Sequence, residues 1–436
     1  MEKYIGNKKS IVEGIDGFLN RKGINNGVII DAFSGTTNVG QYFKQRGYSI
    51  VSNDINEFSY VLGKAYIENN FFPQFTMVRE LIKKSGFHYN DEQIFDATKA
   101  CYRKIKNDKV YAADYVDRVG YSDNILPLIQ VLQYLNSLET TNINEVELLF
   151  YNYYTEEGRY SEYISSRGTR GRRNYFEPEN AKRLGVIMNK LRTWKREGLI
   201  EEMEFYILLT SVIEEVTLNA NVNGTFHDFN RKKLYPNALQ KFELKAPILN
   251  IYQGEGLEYH VFNEDSNRLH ENPDFMRILG DQAILYIDPP YNFRQYSAYY
   301  HLLNFLAKYH VIDDVLEYAK DFRYVRGQNM ADNFNSDYCY KDKFAEAMED
   351  LIIGIPSYCV VISYYDENNH WNHGQTEISM EGRKAIVGIF EKHGALFEYD
   401  MEPYMIPRTN YQSQSGGHKK QIDELIFFAR RRINVD

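Results

Sequence analysis

An apolar run that ends at an acidic residue and two prolines constrains this chain more than any other feature of its sequence. Residues 284–287 read Ile-Leu-Tyr-Ile, which is the pattern of a buried β-strand. Pro289 and Pro290 cannot donate to a sheet ladder, so the strand has to stop before them. Asp288 is therefore predicted at the carboxyl edge of a sheet, where open α/β folds bind their ligands. Tyr291 follows on a stiffened turn and can offer a flat aromatic face beside that carboxylate.

This short motif suits recognition of an amine on an aromatic base. The carboxylate of Asp288 and the carbonyl of Pro289 are hydrogen-bond acceptors, which can hold the two hydrogens of an exocyclic amine. The ring of Tyr291 can stack on a base. An ordinary Asp-Pro turn after a strand is the alternative, so the interpretation depends on the rest of the chain.

Composition restricts the class of protein and its compartment. A chain of 436 residues fits two or three domains, and 43% hydrophobic with 25% charged residues is ordinary for a globular protein. No run of 18 apolar residues occurs and the N-terminus lacks a signal-peptide core, so we expect a cytoplasmic protein without a membrane span. Three scattered cysteines, without the spacing of metal ligands, indicate a reducing compartment and no structural zinc.

The beginning of the chain has the pattern of a doubly wound sheet. Residues 28–30 form a β-branched run that ends at Asp31, and a turn of small residues and a periodic, helical stretch follow. A second strand is predicted at 48–52 and ends beside Asp54. That residue lies 23 positions after Asp31, close to the spacing at which such folds place an acid on a ribose.

The α/β pattern is interrupted and then resumes. From about residue 72 to 248 the sequence is largely helical, with apolar faces predicted in residues 184–194 and 205–216 that pack as an antiparallel pair. Further strands are predicted at the positions 260–262, 284–287, 358–363, 396–399 and 424–428, with helices at 302–309 and 385–392. The predicted organisation is one α/β domain, residues 1–71 and 249–436, interrupted by a helical insertion, residues 72–248.

A basic segment within the insertion is a candidate nucleic-acid surface. Residues 159–196 contain eleven Lys and Arg against three Glu, although the whole chain carries a net charge of −9. The arginine-rich loop from Arg167 to Arg173 would bind phosphates or read guanines, and both possibilities stay open. A solvated loop and helix surface is the alternative.

Together these motifs resemble those of the Dam-like, alpha-class DNA adenine-N6 methyltransferases. Residues 3–10 are similar to the N-terminal cofactor motif, residues 31–37 to the glycine loop, Asp54 to the ribose-binding acid and residues 263–266 to the segment beside the cofactor's adenine. Residues 288–291 are similar to the catalytic Asp-Pro-Pro-Tyr motif. The resemblance implies an S-adenosylmethionine site formed by Tyr4, Lys8, Asp31, Phe33, Ser34, Gly35, Thr36, Thr37, Asp54, Asp265, Ser266 and Asp288.

The resemblance also implies a fold and an activity. The expected fold is a Rossmann-like methyltransferase sheet in which the helical insertion is the target recognition domain. Asp288, Pro289, Pro290 and Tyr291 would be catalytic, and a flipped adenine in double-stranded DNA would receive the methyl group. The chain would be the modification enzyme of a prokaryotic restriction–modification system, acting at the nucleoid independently of any cognate endonuclease, as a monomer or weak dimer.

Residues with DNA-binding roles are predicted on both sides of the catalytic motif. They are Arg167, Arg170, Arg172 and Arg173 in the basic segment, with Arg294 and Tyr296 after the motif. Arg294 and Tyr296 either line the mouth of the base pocket or serve as packing residues.

One departure from the family pattern keeps other functions open. Thr37 stands where the second glycine of the loop is usual, and it adds a β-carbon where the backbone passes close to the ligand. The alternatives are a cytosine-N4 or RNA adenine methyltransferase and a catalytically silent DNA-binding protein. Asp288 in the first position of the motif favours adenine in DNA.

Overall fold

The computed structural model describes residues 7–252, 254–367, 369–372, 378–409 and 421–432. The chain divides into two compact units. The first, called the helical unit here, consists of Met1–Ile5, Lys64–Ile251 and Tyr296–Asn333. The second, called the sheet unit, consists of Gly6–Gly63, Tyr252–Gln295 and Phe334–Asp436.

The strands belong to one large sheet and two small hairpins. In chain order they are β1 (Val28–Asp31), β2 (Ser49–Asn53), β3 (Glu162–Ile164), β4 (Arg170–Arg172), β5 (Tyr259–Phe262), β6 (Ala283–Ile287), β7 (Phe322–Arg323), β8 (Gln328–Asn329), β9 (Cys359–Tyr364), β10 (Phe397–Tyr399), β11 (Tyr404–Thr409) and β12 (Gln421–Arg431).

The helices differ in length from one turn to five. In chain order they are α1 (Val12–Arg21), α2 (Asn38–Lys44), α3 (Glu57–Gly63), α4 (Thr76–Lys84), α5 (Asp91–Lys106), α6 (Tyr115–Arg118), α7 (Tyr121–Asn124), α8 (Leu126–Ser137), α9 (Leu149–Tyr154), α10 (Pro178–Arg196), α11 (Glu202–Asn219), α12 (Pro273–Ile278), α13 (Tyr296–Tyr299), α14 (His301–Lys308), α15 (Val315–Ala319), α16 (Phe344–Gly354) and α17 (Glu381–Lys392). Within the described part of the chain, no helix combines the length and the apolar character that crossing a bilayer requires.

The large sheet reverses its strand order between β1 and β6. The order is β10-β12-β9-β6-β1-β2-β5, and β11 also pairs with β12. Strands β9, β6, β1, β2 and β5 are parallel, whereas β12 runs antiparallel to β9. In such sheets ligands bind at the carboxyl ends of the strands where the order reverses. Asp31 ends β1 and Asp288 follows β6, so both lie at this reversal.

Both faces of the sheet are covered, and its central strands are buried along nearly their whole length. All five residues of β6 and all six of β9 are buried. One face packs against Leu351 of α16 and Phe390 of α17. On the other face, Phe18 of α1 lies with its ring 5.9 Å from that of Phe428. A strand buried on both faces reads as a continuous apolar run, which is why these strands are visible in the sequence.

The predicted strands of the sheet are confirmed, whereas strand β11 and the two small hairpins, β3–β4 and β7–β8, were not foreseen. Strands at 28–30, 48–52, 260–262, 284–287, 358–363, 396–399 and 424–428 overlap β1, β2, β5, β6, β9, β10 and β12. Strand β11 was missed because it contains Pro407 and is mostly exposed, as edge strands are. The loop predicted from Arg167 to Arg173 overlaps the turn and second strand of the β3–β4 hairpin.

The helical unit contains residues 72–248, the segment predicted as an insertion, and extends a few residues beyond both of its ends. It also includes residues 296–333, which the sequence assigned to the α/β domain. Helix α10 begins at Pro178, where the absence of an N–H is tolerated. Helices α10 and α11 contain the two predicted apolar faces and pack against each other.

Candidate active site

The turn after β1 is held by the residues that end β2. The backbone N–H of Ser34 donates to the carbonyl of Asn53 at 2.9 Å, and the N–H of Gly35 donates to Oδ2 of Asp54 at 2.8 Å. Thr37 closes the turn in the left-handed region, with φ 60°, and occupies the N-cap position of α2 without a capping hydrogen bond from its side chain. The predicted glycine loop is therefore a defined turn whose shape depends on Asp54.

A third strand end is fastened to the same turn. The side chain of Asn53 and the backbone of Glu264 exchange two hydrogen bonds of 3.1 Å. Ser266 is buried and donates from Oγ to the carbonyl of Ala32 at 2.6 Å. Asp265 stays exposed and accepts from the N–H of Asn267 at 3.0 Å. The predicted cofactor residues from β1, β2 and β5 thus meet at one edge of the sheet.

Two buried acids of this turn have raised pKa values. Asp31 is 1% exposed, and its Oδ1 has no hydrogen-bond partner among the described residues. Burial, with the carboxylates of Asp288 and Asp54 nearby, raises the pKa of Asp31 well above its usual value. Burial also raises the pKa of Asp54, against the hydrogen bonds from Asn56 and Gly35. This edge of the sheet is therefore suited to a ligand that carries positive charge.

Other predicted cofactor residues have packing roles or lie beyond the described part. The ring of Phe33 meets that of Tyr338 edge to face, with the centroids 5.0 Å apart. Thr36 is buried and accepts from the side chain of Asn38 at 2.7 Å. Tyr4 lies outside the described residues.

Asp288 forms an ion pair with Lys8, a residue near the N-terminus. Nζ of Lys8 lies 3.0 Å from Oδ1 of Asp288, and the two side chains are 5% and 14% exposed. Burial raises the pKa of Asp288 to about 6 even though the ammonium of Lys8 acts to lower it. Asp288 is therefore a carboxylate at neutral pH, and it protonates on mild acidification.

Two further charged residues, which sequence reasoning missed, complete this cluster. Nζ of Lys8 lies 2.5 Å from Oε1 of Glu424, and Nε of Arg408 lies 2.6 Å from Oε2 of the same carboxylate. Ser363 donates to Oε1 of Glu424 at 2.5 Å. Glu424 follows Ile422 at the two-residue period of a strand, which places it on the same buried face, and that was the available signal.

Tyr291 belongs to an aromatic group beside the acids. Its ring centroid is 5.8 Å from that of Tyr364 and 6.3 Å from that of Tyr365, in edge-to-face geometry. Its carbonyl accepts from the N–H of His370 at 3.1 Å. Burial raises the pKa of Tyr291 to about 12, so the ring stays neutral. Between Asp288 and Tyr291, Pro289 is buried and Pro290 half-buried.

The predicted DNA-binding arginines of the helical unit have different environments. Arg167 and Arg170 are exposed on the β3–β4 hairpin and its turn. Arg172 donates to the carbonyls of Glu156 and Gly158 and pairs with Glu162 at 3.3 Å. Arg167 and Arg170 are therefore accessible to a partner, whereas Arg172 partly anchors the hairpin.

Arg173 is buried and serves the interior of the helical unit. It is 2% exposed, and its guanidinium donates to the carbonyls of Tyr160, Tyr324 and Val325 at 3.2, 2.9 and 3.2 Å. A guanidinium with three backbone acceptors is held in place and shielded from solvent. Because the guanidinium is buried, this placement does not favour the predicted DNA contact. The sequence could not show that this charge is buried.

The two residues predicted after the catalytic motif fall in different units. Arg294 belongs to the sheet unit, is half-buried, and accepts at its carbonyl from Sγ of Cys339 at 3.3 Å. Tyr296 belongs to the helical unit, where it begins α13 and stacks on Tyr300 with centroids 5.7 Å apart. For Tyr296 this contact matches the packing alternative.

Comparison with known proteins identifies related sequences. Residues 4–352 match the family model described as D12 class N6 adenine-specific DNA methyltransferase. The chain is 30% identical to modification methylase StsI of Streptococcus sanguinis and 29% identical to type II methyltransferase M.FokI of Planomicrobium okeanokoites. These matches cover 99% of this chain and 52% and 53% of those proteins.

A shorter relative is matched over most of both chains. The chain is 27% identical to type II methyltransferase M.NlaIII of Neisseria lactamica, over 84% of this chain and 83% of that protein. By contrast, the chain spans about half the length of StsI and M.FokI. No solved structure gives a significant match.

Proposed function

Because the chain belongs to the D12 class N6 adenine-specific DNA methyltransferase family, we propose that it methylates the N6 amine of adenine in double-stranded DNA. The methyl donor in this proposal is S-adenosylmethionine. The observation that carries it is the position of Asp288, ionised at neutral pH, at the strand-order reversal of the sheet. Its neighbours Pro289 and Tyr291 supply a carbonyl acceptor and an aromatic ring.

Asp288 and Pro289 would activate the amine by hydrogen bonding. The lone pair of an adenine amine is delocalised into the ring, which makes it a poor nucleophile. Among the described residues, Lys8 engages Oδ1 of Asp288, so Oδ2 is the oxygen that would accept from the amine. A second hydrogen bond to the carbonyl of Pro289 would favour a pyramidal nitrogen with a localised lone pair. The carboxylate would also stabilise the positive charge that develops on that nitrogen.

The residues at the ends of β1, β2 and β5 fit S-adenosylmethionine. When bound, it would supply an electrophilic methyl group on a sulfonium centre. The unpartnered Oδ1 of Asp31 is a buried acceptor for a cationic or N–H group. Oδ2 of Asp54 accepts one hydrogen bond from Gly35 and has capacity for a ribose hydroxyl. Asp265, exposed at the same edge, would bind the cofactor's adenine.

An adenine within a duplex has to leave the stack to reach Asp288. Extrusion costs a few kcal/mol, which stacking on Tyr291 would partly offset. The edge-to-face contacts of Tyr364 and Tyr365 hold the ring of Tyr291 in a fixed orientation for such stacking. The helical unit would then act as the target recognition domain, with Arg167 and Arg170 on phosphates or base edges.

The biological setting is proposed from the related proteins. The names of StsI, M.FokI and M.NlaIII describe a modification methylase and type II methyltransferases. By analogy, this chain would protect DNA in a prokaryotic cytoplasm against an endonuclease of the same specificity.

Transfer of a labelled methyl group tests the proposal. Plasmids that together contain all short sequence contexts are incubated with the protein and S-adenosylmethionine labelled in its methyl group, and single-molecule sequencing then locates the modified base. We expect N6-methyladenine in one sequence context. D288N should lower the rate at least about a hundredfold, since it removes the charge that stabilises the transition state. Absence of label in every context, or full activity of D288N, would contradict the proposal.

A further inference from the structure

Four charges of alternating sign connect Arg408 to Asp288, the carboxylate that the proposed function makes catalytic. Arg408 contacts Glu424, Glu424 contacts Lys8, and Lys8 contacts Asp288, at 2.6, 2.5 and 3.0 Å. Lys8 is therefore shared between two carboxylates. Ser363 adds a hydrogen bond to Glu424, so that acid has three donors.

We propose that Glu424 is a positioning residue of methyl transfer, which acts through Lys8 to fix the orientation and the charge of Asp288. The inference rests on the proposed function, because it assigns Asp288 the role of acceptor for the substrate amine. It also changes the role of Lys8, which the sequence resemblance placed at the cofactor.

Stability of the fold does not by itself explain an acid at position 424. Glu424 is fully buried, and its neighbours in β12 include Ile422 and Leu425. Replacing a buried ion pair with apolar side chains of similar volume is often neutral or stabilising. The ion pairs of Glu424 instead lead to Asp288, the residue whose geometry matters for the reaction.

Sharing of Lys8 affects Asp288 in two ways. The contact of Glu424 with Lys8 restrains the position of the ammonium, so the hydrogen bond to Oδ1 sets the direction in which Oδ2 points. It also divides the positive charge of Lys8, so that Asp288 keeps more of its strength as an acceptor. Catalytic groups need placement within a fraction of an ångström, and small displacements cost large factors in rate.

Two charges of the cluster, Glu424 and Arg408, act on Asp288 with opposite signs. The carboxylate of Glu424 raises the pKa of Asp288, and the guanidinium of Arg408 lowers it. The titratable and charged groups that face Asp288 from the surrounding elements are Lys8, Asp31, Tyr286, Tyr291, Arg408 and Glu424. Removing the charge of Glu424 or of Arg408 should therefore move the titration of Asp288 in a known direction.

The test is the pH dependence of single-turnover methyl transfer in E424Q and R408Q. In the unaltered protein the rate should fall as the pH drops through about 6, where Asp288 protonates. In E424Q this acid limb should move to lower pH. The rate on the plateau should fall about tenfold, because Lys8 loses its ion pair with Glu424. In R408Q the limb should move to higher pH, and R408K should restore it. General damage to the fold would not move the two limbs in opposite directions.

The neighbouring acid provides a matched control. Asp423 lies next to Glu424 in β12 but is exposed, so D423N removes the same charge without touching the cluster. We expect the profile of D423N to equal that of the unaltered protein. An active protein whose acid limb stays in place in both E424Q and R408Q overturns the inference while leaving the proposed function intact.

A readout independent of activity separates the two proposals. In protein carrying aspartate labelled with carbon-13 at the carboxyl group, the resonance lost in D288N reports the titration of Asp288. The titration should shift downward in E424Q and upward in R408Q. If E424Q fails to fold, R408Q and R408K decide alone. If the unaltered protein transfers no methyl group, the proposed function fails, and the titration still tests the role of Glu424.

Discussion

Gly35 donates its backbone N–H to Oδ2 of Asp54 at 2.8 Å, so the turn after β1 takes its shape from the residue after β2. Oδ1 of Asp54 accepts from the backbone and the side chain of Asn56, both at 2.9 Å. A carboxylate can accept all three bonds, whereas an amide would place a donor against one of these N–H groups.

We therefore expect D54N to disturb the turn although it preserves the size of the side chain. Hydrogen bonds to charged groups contribute about 1.5–3 kcal/mol, so the affinity for S-adenosylmethionine should fall at least about tenfold. Equilibrium binding of labelled S-adenosylmethionine measures this change. D274N, an exposed acid of the same unit, serves as the control and should bind normally. Equal affinity of D54N and the unaltered protein would contradict the role of Asp54.

Thr37 adopts a backbone conformation that favours glycine. Its φ is 60°, it is fully buried, and its Oγ1 accepts from the side chain of Gln41 at 3.0 Å. A left-handed conformation costs a residue with a β-carbon about 1–2 kcal/mol. The hydrogen bond from Gln41 offsets part of that cost, which explains how the loop tolerates a departure from its glycine pattern.

A comparison of T37G and T37A isolates the cost of the conformation. Both variants remove the hydroxyl, but only glycine relieves the positive φ. The free energy of unfolding of T37G should exceed that of T37A by about 1 kcal/mol, measured by urea denaturation. T37G should also bind S-adenosylmethionine at least as tightly as the unaltered protein. If T37A were the more stable of the two, the backbone at position 37 would not be strained.

The sequence predicted the strand ends and their acids because the signals are local. A β-branched run that ends at Asp31 and an apolar run that ends at Asp288 each specify a strand and the residue after it within ten positions. The parallel arrangement of these strands then brings the two acids to one edge. That part of the candidate site follows from pattern and topology alone.

The rest of the candidate site depends on contacts between distant parts of the chain. Lys8 and Glu424 are 416 positions apart, and their ion pair forms only because β12 inserts antiparallel beside β9. Arg408 lies on β11, an edge strand that Pro407 conceals in the sequence. Arg173 belongs to a basic segment, but its burial depends on carbonyls about 150 positions later. Local composition contains no information on such partners.

The arginines of the helical unit should separate into two groups. R167A and R170A remove exposed charges, so each should leave thermal stability unchanged and lower DNA affinity. If each arginine contacts one phosphate, the slope of log affinity against log salt should decrease by about one per substitution. Fluorescence anisotropy with duplex DNA at several salt concentrations measures both effects. Unchanged affinity and slope in both variants would place the DNA surface elsewhere.

R173A should behave in the opposite way. It removes three hydrogen bonds from a buried guanidinium and leaves three carbonyls without that donor. We expect a loss of about 3 kcal/mol or more in the free energy of unfolding. Urea denaturation followed by circular dichroism measures it, and R167A is the control. A stable R173A that binds DNA weakly would instead support the direct contact that the sequence suggested.

His301 should make the stability of the protein depend on pH. It is 4% exposed and its Nδ1 lies 3.2 Å from the carbonyl of Ala298. Burial, with the guanidinium of Arg326 nearby, lowers the pKa of His301 from 6.5 to about 3. Below pH 6.5 the unfolded chain binds a proton that the folded protein does not bind. The stabilisation from this histidine is therefore complete above pH 6.5 and decreases as the pH falls toward 3.

The H301Q variant should remove this dependence, because glutamine does not titrate. Between pH 7.5 and pH 5 the unaltered protein should lose about 2 kcal/mol more free energy of unfolding than H301Q loses. Urea denaturation at the two pH values measures the difference, and H88Q is the control because His88 is exposed. Other buried histidines contribute equally to both proteins, so they cancel in the comparison. Equal losses in the unaltered protein and H301Q would mean that His301 takes up its proton in the folded state.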